Sequence, residues 1–276
     1  MLTNFDDVDQ FSTDAIVEYE ATLKRAEAEG IKIRALLLCH PHNPLGKCYP
    51  KETIVGLMQL CNKYGIHLLS DEIYALSVYD VPDPTAVKYE SVISFDSKEY
   101  INPDLLHLIY GFSKDLAASG LRLGVFHTHN KDLFKAMGAI IAPHWSGSVN
   151  QRLARLMLDD EEWVDEFLRR SRKYLADRNA FARQLLEKNG LEFLKGSNAG
   201  FFLWVDLRRF LNNDPAGKRN CGSAKDAWDA ENQLSQRMME HKVFLTPGGL
   251  MFAAEPGWFR LIFSQDKHVL EEGVGR

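Results

Sequence analysis

Three short apolar runs, each followed directly by polar or chain-breaking residues, constrain the fold of this chain most. The runs cover residues 33–39, 66–70 and 105–110, and the first of them predicts an interior strand. Runs of this length are typical of buried strands in parallel sheets. A helical pattern over 51–64, ended by Gly65, separates the first two runs. Strands that alternate with helices predict an α/β fold, with a mostly parallel sheet and helices on both of its faces.

The second half of the chain changes character and predicts a smaller α+β C-terminal domain. Apolar spacing predicts helices at 14–29, 51–64, 131–140, 149–159, 161–188 and 224–241. Further strands are predicted at 91–95, 122–128, 201–205, 243–245 and 258–263, and a polar insert at 212–223. We therefore predict a partial large domain over 1–145, interdomain helices over 146–188 and the small domain over 189–276.

Composition and charge narrow the classes of function. The 276 residues carry a formal net charge of −5 without a clustered basic run, which argues against nucleic acid as the main partner. The cysteines Cys39, Cys48, Cys61 and Cys221 form no CxxC pair and no metal-ligand spacing, so we predict reduced thiols, no metal site and a cytoplasmic location. Residues 1–10 lack the apolar core of a signal peptide, and no apolar stretch approaches the about 20 residues of a membrane span. We therefore expect neither a signal peptide nor a membrane-spanning segment.

Polar side chains follow each of the three predicted strands where it ends. Asn43 follows the first strand, and Asp71 with Tyr74 follows the second. Lys114 lies just past the third, with Arg122 eight positions later. Because parallel strands end at one edge of a sheet, where ligands collect, we expect these groups to lie together. A pyridine-based cofactor needs such a set: a carboxylate for its ring nitrogen, a lysine for its aldehyde, and donors for its phenolate and phosphate.

Each of these residues also has an ordinary structural explanation when it is taken singly. Lys114 in a Gly/Ser loop is typical of a solvated surface group, and Asp71 of a capping residue. Asn43 before a proline suits a turn, and Tyr74 suits a half-buried aromatic. The functional interpretation therefore depends on the position that they share at strand ends.

Four ordered motifs give the sequence a family resemblance. The motifs are Pro41-His42-Asn43-Pro44-Leu45-Gly46, Asp71-Glu72-Ile73-Tyr74, Ser113-Lys114-Asp115 through Gly120-Leu121-Arg122-Leu123-Gly124, and Gly257-Trp258-Phe259-Arg260-Leu261. In order and spacing they resemble the pyridoxal-phosphate enzymes of aminotransferase fold type I, and most closely the aminocyclopropane-carboxylate-synthase-like aminotransferases. The resemblance extends from about the first helix to the end of the chain.

The resemblance implies a role for each residue near the cofactor ring. Lys114 would be the catalytic residue, which binds pyridoxal 5′-phosphate covalently and later moves the proton at the substrate Cα. Asp71 would pair with the ring nitrogen of the cofactor. Asn43 and Tyr74 would bond its ring oxygen.

The resemblance also assigns residues to the anionic groups of cofactor and substrate. Ser113 and Arg122 would bind the cofactor phosphate, and Arg260 would hold the substrate carboxylate through a two-pronged contact. An arginine that pairs with a surface acid is the structural alternative for Arg260. Gly111 stands where the family often has another phosphate-binding serine. Family members also carry an upstream segment that helps to bind the phosphate, and we expect this chain to lack it.

We predict from the resemblance an enzyme that acts on an α-amino acid and a keto acid, with amino-group transfer as the first choice. The same residues suit aminocyclopropane-carboxylate-synthase-like or carbon–sulfur lyase chemistry, because the cofactor stabilises charge at Cα in all of them. A shortened, non-catalytic or partner-dependent paralogue is the remaining interpretation. We also predict a homodimer. Charge and the lack of a long apolar stretch lead us to expect neither nucleic acid nor a membrane as partner.

Overall fold

A computed structural model describes residues 1–5, 7–211 and 224–276 of the chain. These residues divide into two compact units. The N-terminal unit comprises Met1–Asn43, Lys47–Val78 and Val87–Arg172, and the C-terminal unit comprises Pro44–Gly46, Tyr79–Ala86 and Lys173–Arg276. The domain bounds that we predicted at 145 and 188 stay predictions. The polar insert predicted at 212–223, with Cys221, lies outside the described residues.

Seven α-helices lie in the described residues. They are α1 (Ala15–Ala28), α2 (Lys51–Tyr64), α3 (Lys131–Ile141), α4 (Ser148–Leu158), α5 (Glu161–Lys188), α6 (Ala224–Glu240) and α7 (Lys267–Gly275). The first six confirm the helices predicted from apolar spacing, and α7 was not predicted. Gly65, at φ 61°, ends α2 in the left-handed conformation that glycine adopts readily. None of the helices in the described ranges is long and apolar enough to cross a membrane.

Four strands form the sheet of the N-terminal unit. In their order across the sheet they are β1 (Ala35–Cys39), β2 (His67–Asp71), β3 (Leu106–Gly111) and β4 (Gly124–Thr128). β2 pairs in parallel with both β1 and β3, whereas β4 runs antiparallel to β3. This arrangement confirms the mostly parallel sheet of the predicted α/β fold.

Side-chain alternation along these strands separates a buried face from the face that bears the candidate site. Leu38, Ser70 and Leu108 stand in register on one face and are buried. α2 packs against β2 and contributes fully buried apolar residues such as Ile54 and Leu57. The residues next in sequence to that row therefore point to the opposite face of the sheet.

Two predictions for the N-terminal unit are wrong. Among the described residues β1 pairs only with β2, so it forms an edge of the sheet, and Leu37 is 68% exposed. Apolar composition predicts a strand but does not determine which strand takes the edge. The strand predicted at 91–95 is a series of turns. There Ser91 Oγ and the Val92 N–H both donate to the Glu72 carboxylate, at 2.6 and 3.0 Å, instead of joining a ladder.

The C-terminal unit contains a second, antiparallel sheet. Its strands, in spatial order, are β5 (Glu192–Phe193), β6 (Phe202–Asp206), β8 (Trp258–Ile262) and β7 (Thr246–Pro247). β6 and β8 confirm predicted strands, and with α5 they enclose a core that includes Leu186, Leu203 and Phe259. The strand predicted at 243–245 is wrong, because the Val243 N–H closes the end of α6 on the Met238 carbonyl at 2.9 Å. The unit has the predicted α+β character.

Candidate functional site

The carboxyl ends of β1, β2 and β3 lie at one edge of the sheet in the N-terminal unit. Strand register places Cys39 beside Asp71, and Asp71 beside Ile109. The ladder extends one step further. The His40 N–H donates to the Asp71 carbonyl at 2.9 Å, and the Glu72 N–H donates to the Ile109 carbonyl at 2.9 Å. The three segments that follow these strands therefore leave the sheet together, as the sequence predicts.

Asp71 is the last residue of β2 and presents a partly buried carboxylate. Its Oδ1 accepts a hydrogen bond from the Ile73 N–H at 3.2 Å. Burial raises the pKa of the Asp71 carboxyl, the Ile73 N–H opposes that shift, and the nearby charge of Glu72 adds to it. A positive charge next to this carboxylate would therefore be favourable.

Asn43 and Asp71 both lie close enough to the Cys39 thiol to act on its ionisation. Burial raises the pKa of Cys39 to about 11, a hydrogen bond from the backbone of Asn43 lowers it, and the charge of Asp71 raises it again. The thiol itself contacts the Pro41 carbonyl at 3.4 Å. Cys39, Cys48 and Cys61 all carry free thiols. The structure thus brings Asn43 near Asp71.

Lys114 and Tyr74 meet above the same edge. Tyr74 is 4% exposed, whereas Lys114 belongs to the exposed residues of the loop after β3. The Lys114 ammonium nitrogen lies 5.9 Å from the centroid of the Tyr74 ring, within the range of a cation–π contact. The lysine that sequence reasoning selected therefore stands beside a residue of the same predicted set.

Ser113 and Arg122 occupy neighbouring ends of β3 and β4. Gly111 pairs with Gly124, and the Phe112 N–H donates to the Leu123 carbonyl at 3.2 Å, so the chain leaves and re-enters the sheet side by side. Ser113 is half-buried and Arg122 is exposed. Arg122 has a φ of 53°, and its Nη1 donates to a backbone carbonyl three residues earlier at 3.1 Å.

Close packing explains the glycine at position 111, where the sequence departs from the resembled pattern. A Cβ on Gly111 would lie 3.1 Å from Ile73 Cδ1 and 3.2 Å from the Leu123 carbonyl oxygen. Both distances are tighter than ordinary contacts, so a side chain would displace one of these groups. With glycine at position 111, the hydroxyl nearest to Lys114 in sequence is that of Ser113.

Arg260 lies in the C-terminal unit, on β8, where it pairs with Thr246 of β7. Its Nη2 donates to Thr246 Oγ1 at 3.4 Å, and its guanidinium carbon lies 5.5 Å from the centroid of the Phe202 ring. The side chain is half-buried. β8 thus holds the guanidinium between a hydroxyl and an aromatic ring within its own unit.

Sequence reasoning missed the role of Glu72, which anchors the segment 89–92. The carboxylate is 1% exposed and accepts hydrogen bonds from Ser70 Oγ at 3.0 Å and from the Val92 N–H at 3.0 Å. Ser91 Oγ and the Tyr89 hydroxyl donate to its other oxygen. Buried carboxylates need several donors, and this one has four. The only sequence signal was its place next to Asp71.

Clusters of three or more potential metal ligands do not occur in the ranges 1–5, 7–211 and 224–276. His40 is directed to structural partners, since its Nδ1 accepts from the Tyr49 N–H at 3.2 Å and its Nε2 lies 3.0 Å from the Glu90 carbonyl.

Comparisons with known proteins agree in family. The sequence profile of the family described as aminotransferase class I and II matches residues 3–276. A 1-aminocyclopropane-1-carboxylate synthase-like protein 1 from Takifugu rubripes is 33% identical over 93% of this chain and 39% of its own length. The 1-aminocyclopropane-1-carboxylate synthase 6 of Arabidopsis thaliana is 36% identical over 90% of this chain and 47% of its own length. The chain thus spans less than half the length of these two relatives.

A solved structure supports the fold. An aromatic aminotransferase from Pyrococcus horikoshii OT3 superposes with a TM-score of 0.73 at 21% identity, over 93% of this chain and 61% of that chain. This similarity establishes that the chain has aminotransferase fold type I.

Proposed function

This chain belongs to the class I and II aminotransferase family, and we propose that it binds pyridoxal 5′-phosphate and acts with it on an α-amino acid. Members of this family depend on that cofactor. The observation that carries the proposal is the meeting of Asp71, Tyr74 and Lys114 at one edge of the sheet. Amino-group transfer between an amino acid and a keto acid is the reaction that we propose first.

The side chains at this edge fit the polar groups of the cofactor. Burial raises the pKa of Asp71, and a protonated ring nitrogen beside it would favour the ionised carboxylate. Lys114 presents an exposed amine for the aldehyde, since lysine is a recognised nucleophile toward carbonyl groups. Asn43 and Tyr74 can each donate a hydrogen bond to the ring oxygen.

We assign the phosphate to the adjoining loop. Ser113 would donate its hydroxyl, and Arg122 would supply a fixed positive charge with several N–H donors. The paired ends of β3 and β4 hold the two residues on neighbouring stretches of backbone. Binding of a dianion there would redirect the Arg122 guanidinium from the Ser119 carbonyl, which it contacts at 3.1 Å.

Lys114 would also carry the proton transfer of the reaction. When bound, the cofactor supplies an electron-withdrawing ring that stabilises negative charge at the substrate Cα. Lys114 Nζ would remove the proton at that carbon and return one to an acceptor atom of the substrate–cofactor pair. The Tyr74 ring lies beside this amine, with its centroid 5.9 Å from Nζ. Asp71 would keep the ring nitrogen protonated throughout.

The names of the relatives favour a second candidate reaction, a cyclopropane-forming elimination. Two proteins named for 1-aminocyclopropane-1-carboxylate synthase share 33% and 36% identity with this chain. The residues at the sheet edge serve this reaction, carbon–sulfur cleavage and amino transfer equally, since all need negative charge at Cα to be stabilised. A non-catalytic or partner-dependent paralogue is the alternative to all three.

A cofactor titration tests the proposal. Adding pyridoxal 5′-phosphate to the purified chain should produce a visible absorbance band that borohydride abolishes, with the reduced adduct mapped by mass spectrometry to Lys114. An amino-acid screen with an added keto acid follows. Amination of that keto acid without release of ammonia marks transfer, 1-aminocyclopropane-1-carboxylate marks cyclisation, and thiol released together with ammonia marks carbon–sulfur cleavage. A chain that forms neither band nor adduct would favour the non-catalytic paralogue.

We propose Arg260 as the group that binds the substrate carboxylate, which leads to a prediction. Arg260→Lys should leave cofactor binding unchanged but weaken amino-acid binding by about 1–3 kcal/mol, because a point charge replaces a planar fork. Spectral titration of the loaded protein with amino acid measures the change. Arg208→Lys is the matched control, since Arg208 pairs with Asp206 at 2.7 Å on the surface of the same unit. Equal affinity in both variants would remove Arg260 from the site.

We further propose a homodimer in the cytoplasm. Large apolar side chains are exposed along α3, α4 and the link between them, namely Phe134, Ile140, Trp145, Val149 and Leu153. Apolar surface of this kind is typical of protein–protein interfaces, and a second copy of the chain would cover it. Free thiols at Cys39, Cys48 and Cys61 suit a reducing compartment. Sedimentation equilibrium distinguishes a dimer from the 31.4 kDa monomer.

A further inference from the structure

Asp115, the residue directly after Lys114, is a buried acid that the proposed chemistry does not use. Asp115 is only 3% exposed, whereas Lys114 is exposed. Acidic residues are rarely buried to this degree unless hydrogen bonds compensate the loss of water. The partners of this carboxylate therefore indicate what it does.

Four donors converge on the Asp115 carboxylate. Oδ2 accepts from the Leu76 N–H at 2.8 Å and from the Tyr110 hydroxyl at 3.1 Å, and Oδ1 accepts from Ser77 Oγ at 2.5 Å. The backbone of Ser77 provides the fourth. Burial and the charge of Asp115 raise the pKa of Tyr110, so its hydroxyl keeps the proton that it donates. Burial raises the pKa of the Asp115 carboxyl, and these donors oppose that shift because they stabilise the ionised form, which only accepts hydrogen bonds.

The carboxylate and most of its donors lie in two different loops, and both loops carry residues of the candidate site. Tyr110, the remaining donor, lies in β3. Leu76 and Ser77 follow Tyr74 after β2, and the Ser77 N–H also closes a turn on the Tyr74 carbonyl at 3.1 Å. Asp115 lies in the loop after β3, where the Ala117 N–H closes a turn on the Lys114 carbonyl at 3.1 Å. Each loop is thus folded on itself, and the Asp115 carboxylate connects the two.

We propose that Asp115 is a positioning residue, which fixes the lysine-bearing loop against the Tyr74 loop and so sets where Lys114 Nζ stands. The inference rests on the proposed function, because it assigns a role in presenting the reacting amine. Adjacent Cα atoms are about 3.8 Å apart, so a shift of Asp115 is passed directly to Lys114. Misplacing a reacting group by about 1 Å can slow a reaction about 100-fold.

The test compares Asp115→Ala with a matched control, Thr53→Val. Thr53 is a 1% exposed residue of α2 whose hydroxyl donates to the Phe11 carbonyl at 2.7 Å, so its loss also weakens the unit but leaves both loops intact. Apo-protein is mixed with pyridoxal 5′-phosphate, and the rise of the borohydride-sensitive band is timed. Asp115→Ala should capture the cofactor about 10- to 100-fold more slowly than wild type. Thr53→Val should stay within about twofold of wild type.

A second readout needs no cofactor. Amide hydrogen exchange in the apo-protein should quicken in both 74–78 and 113–118 for Asp115→Ala, and in neither segment for Thr53→Val. If wild type forms no band, the proposed function fails, while the exchange rates still decide whether Asp115 joins the loops.

Ser77→Ala covers the case in which Asp115→Ala does not fold. It removes the hydroxyl donor to Oδ1 and keeps the buried carboxylate. We expect a smaller slowing of capture, about threefold to tenfold, which is in the range of one ordinary intramolecular hydrogen bond, because the other donors to the carboxylate remain. Folded Asp115→Ala or Ser77→Ala proteins with capture rates and loop exchange equal to those of Thr53→Val would overturn the proposal.

Discussion

Lys114→Ala is expected to abolish the borohydride-sensitive band and all turnover while leaving the fold intact. The side chain is exposed, and its ammonium nitrogen lies 5.9 Å from the centroid of the Tyr74 ring. Loss of an exposed cation–π contact costs about 0.5–1 kcal/mol, which is small beside the stability of a domain. Loss of a positioned proton-transfer group alone slows reactions by about 10²–10⁴-fold, and this variant also loses the covalent anchor.

The matched control for this prediction is Lys131→Ala, which removes an exposed lysine at the start of α3 in the same unit. Absorbance before and after borohydride, with melting temperatures for both variants, separates loss of chemistry from loss of fold. Peptide mapping then shows which amine carries the reduced cofactor. A reducible band that persists in Lys114→Ala would mean that another lysine holds the cofactor.

The position of the candidate site could be predicted from sequence because it follows from strand direction. Asn43, Asp71 and Lys114 each come after an apolar run, and parallel pairing brings the ends of such runs to one edge. A local pattern was enough in each case. The edge position of β1 was not predicted, since composition alone carries no information on which strands pair. β5 and β7 have two residues each, too few for any periodicity to be read.

The hydrogen bonds that hold the site loops in place could not be predicted from the sequence, since they join residues that are distant in the chain. Asp115 bonds to Leu76 and Ser77, which lie 39 and 38 positions away in sequence. An acid that follows a lysine in a Gly/Ser-rich segment has the same sequence signature as a solvated pair. The contacts of Glu72 could not be predicted either, because its donors Ser91 and Val92 come from a segment that the sequence predicts to be a strand.

Asp71→Asn is expected to keep covalent capture of the cofactor by Lys114 and to slow removal of the substrate Cα proton by about 10²–10³-fold. The amide has nearly the shape of the acid, and its oxygen can still accept the Ile73 N–H, which donates at 3.2 Å in wild type. The amide carries no negative charge to keep the ring nitrogen of the cofactor protonated, so the ring stabilises negative charge at Cα less well. Exchange of the Cα proton for deuterium, followed by NMR, measures this step directly.

The stability of the same variant should change in opposite directions without and with cofactor. Burial raises the pKa of Asp71. At a pH above that pKa, the charged carboxylate therefore lowers the stability of the folded apo-protein. Apo Asp71→Asn should therefore melt at or above the wild-type temperature near neutral pH. This difference should shrink as the pH falls and the wild-type carboxyl takes up its proton. With the cofactor bound, wild type should gain more stability than the variant, because only the carboxylate pairs with the ring nitrogen.

Glu72→Gln provides the contrast for this last prediction. Glu72 is the adjacent buried carboxylate, but its four hydrogen bonds bind the protein to itself. The amide NH2 would face donors, so this variant should lose stability with and without cofactor. Near-normal deuterium exchange in Asp71→Asn, together with an equal gain of stability on cofactor binding in that variant and in wild type, would exclude Asp71 as the partner of the ring nitrogen. The carboxylate at the end of β2 would then be a structural residue of the sheet edge.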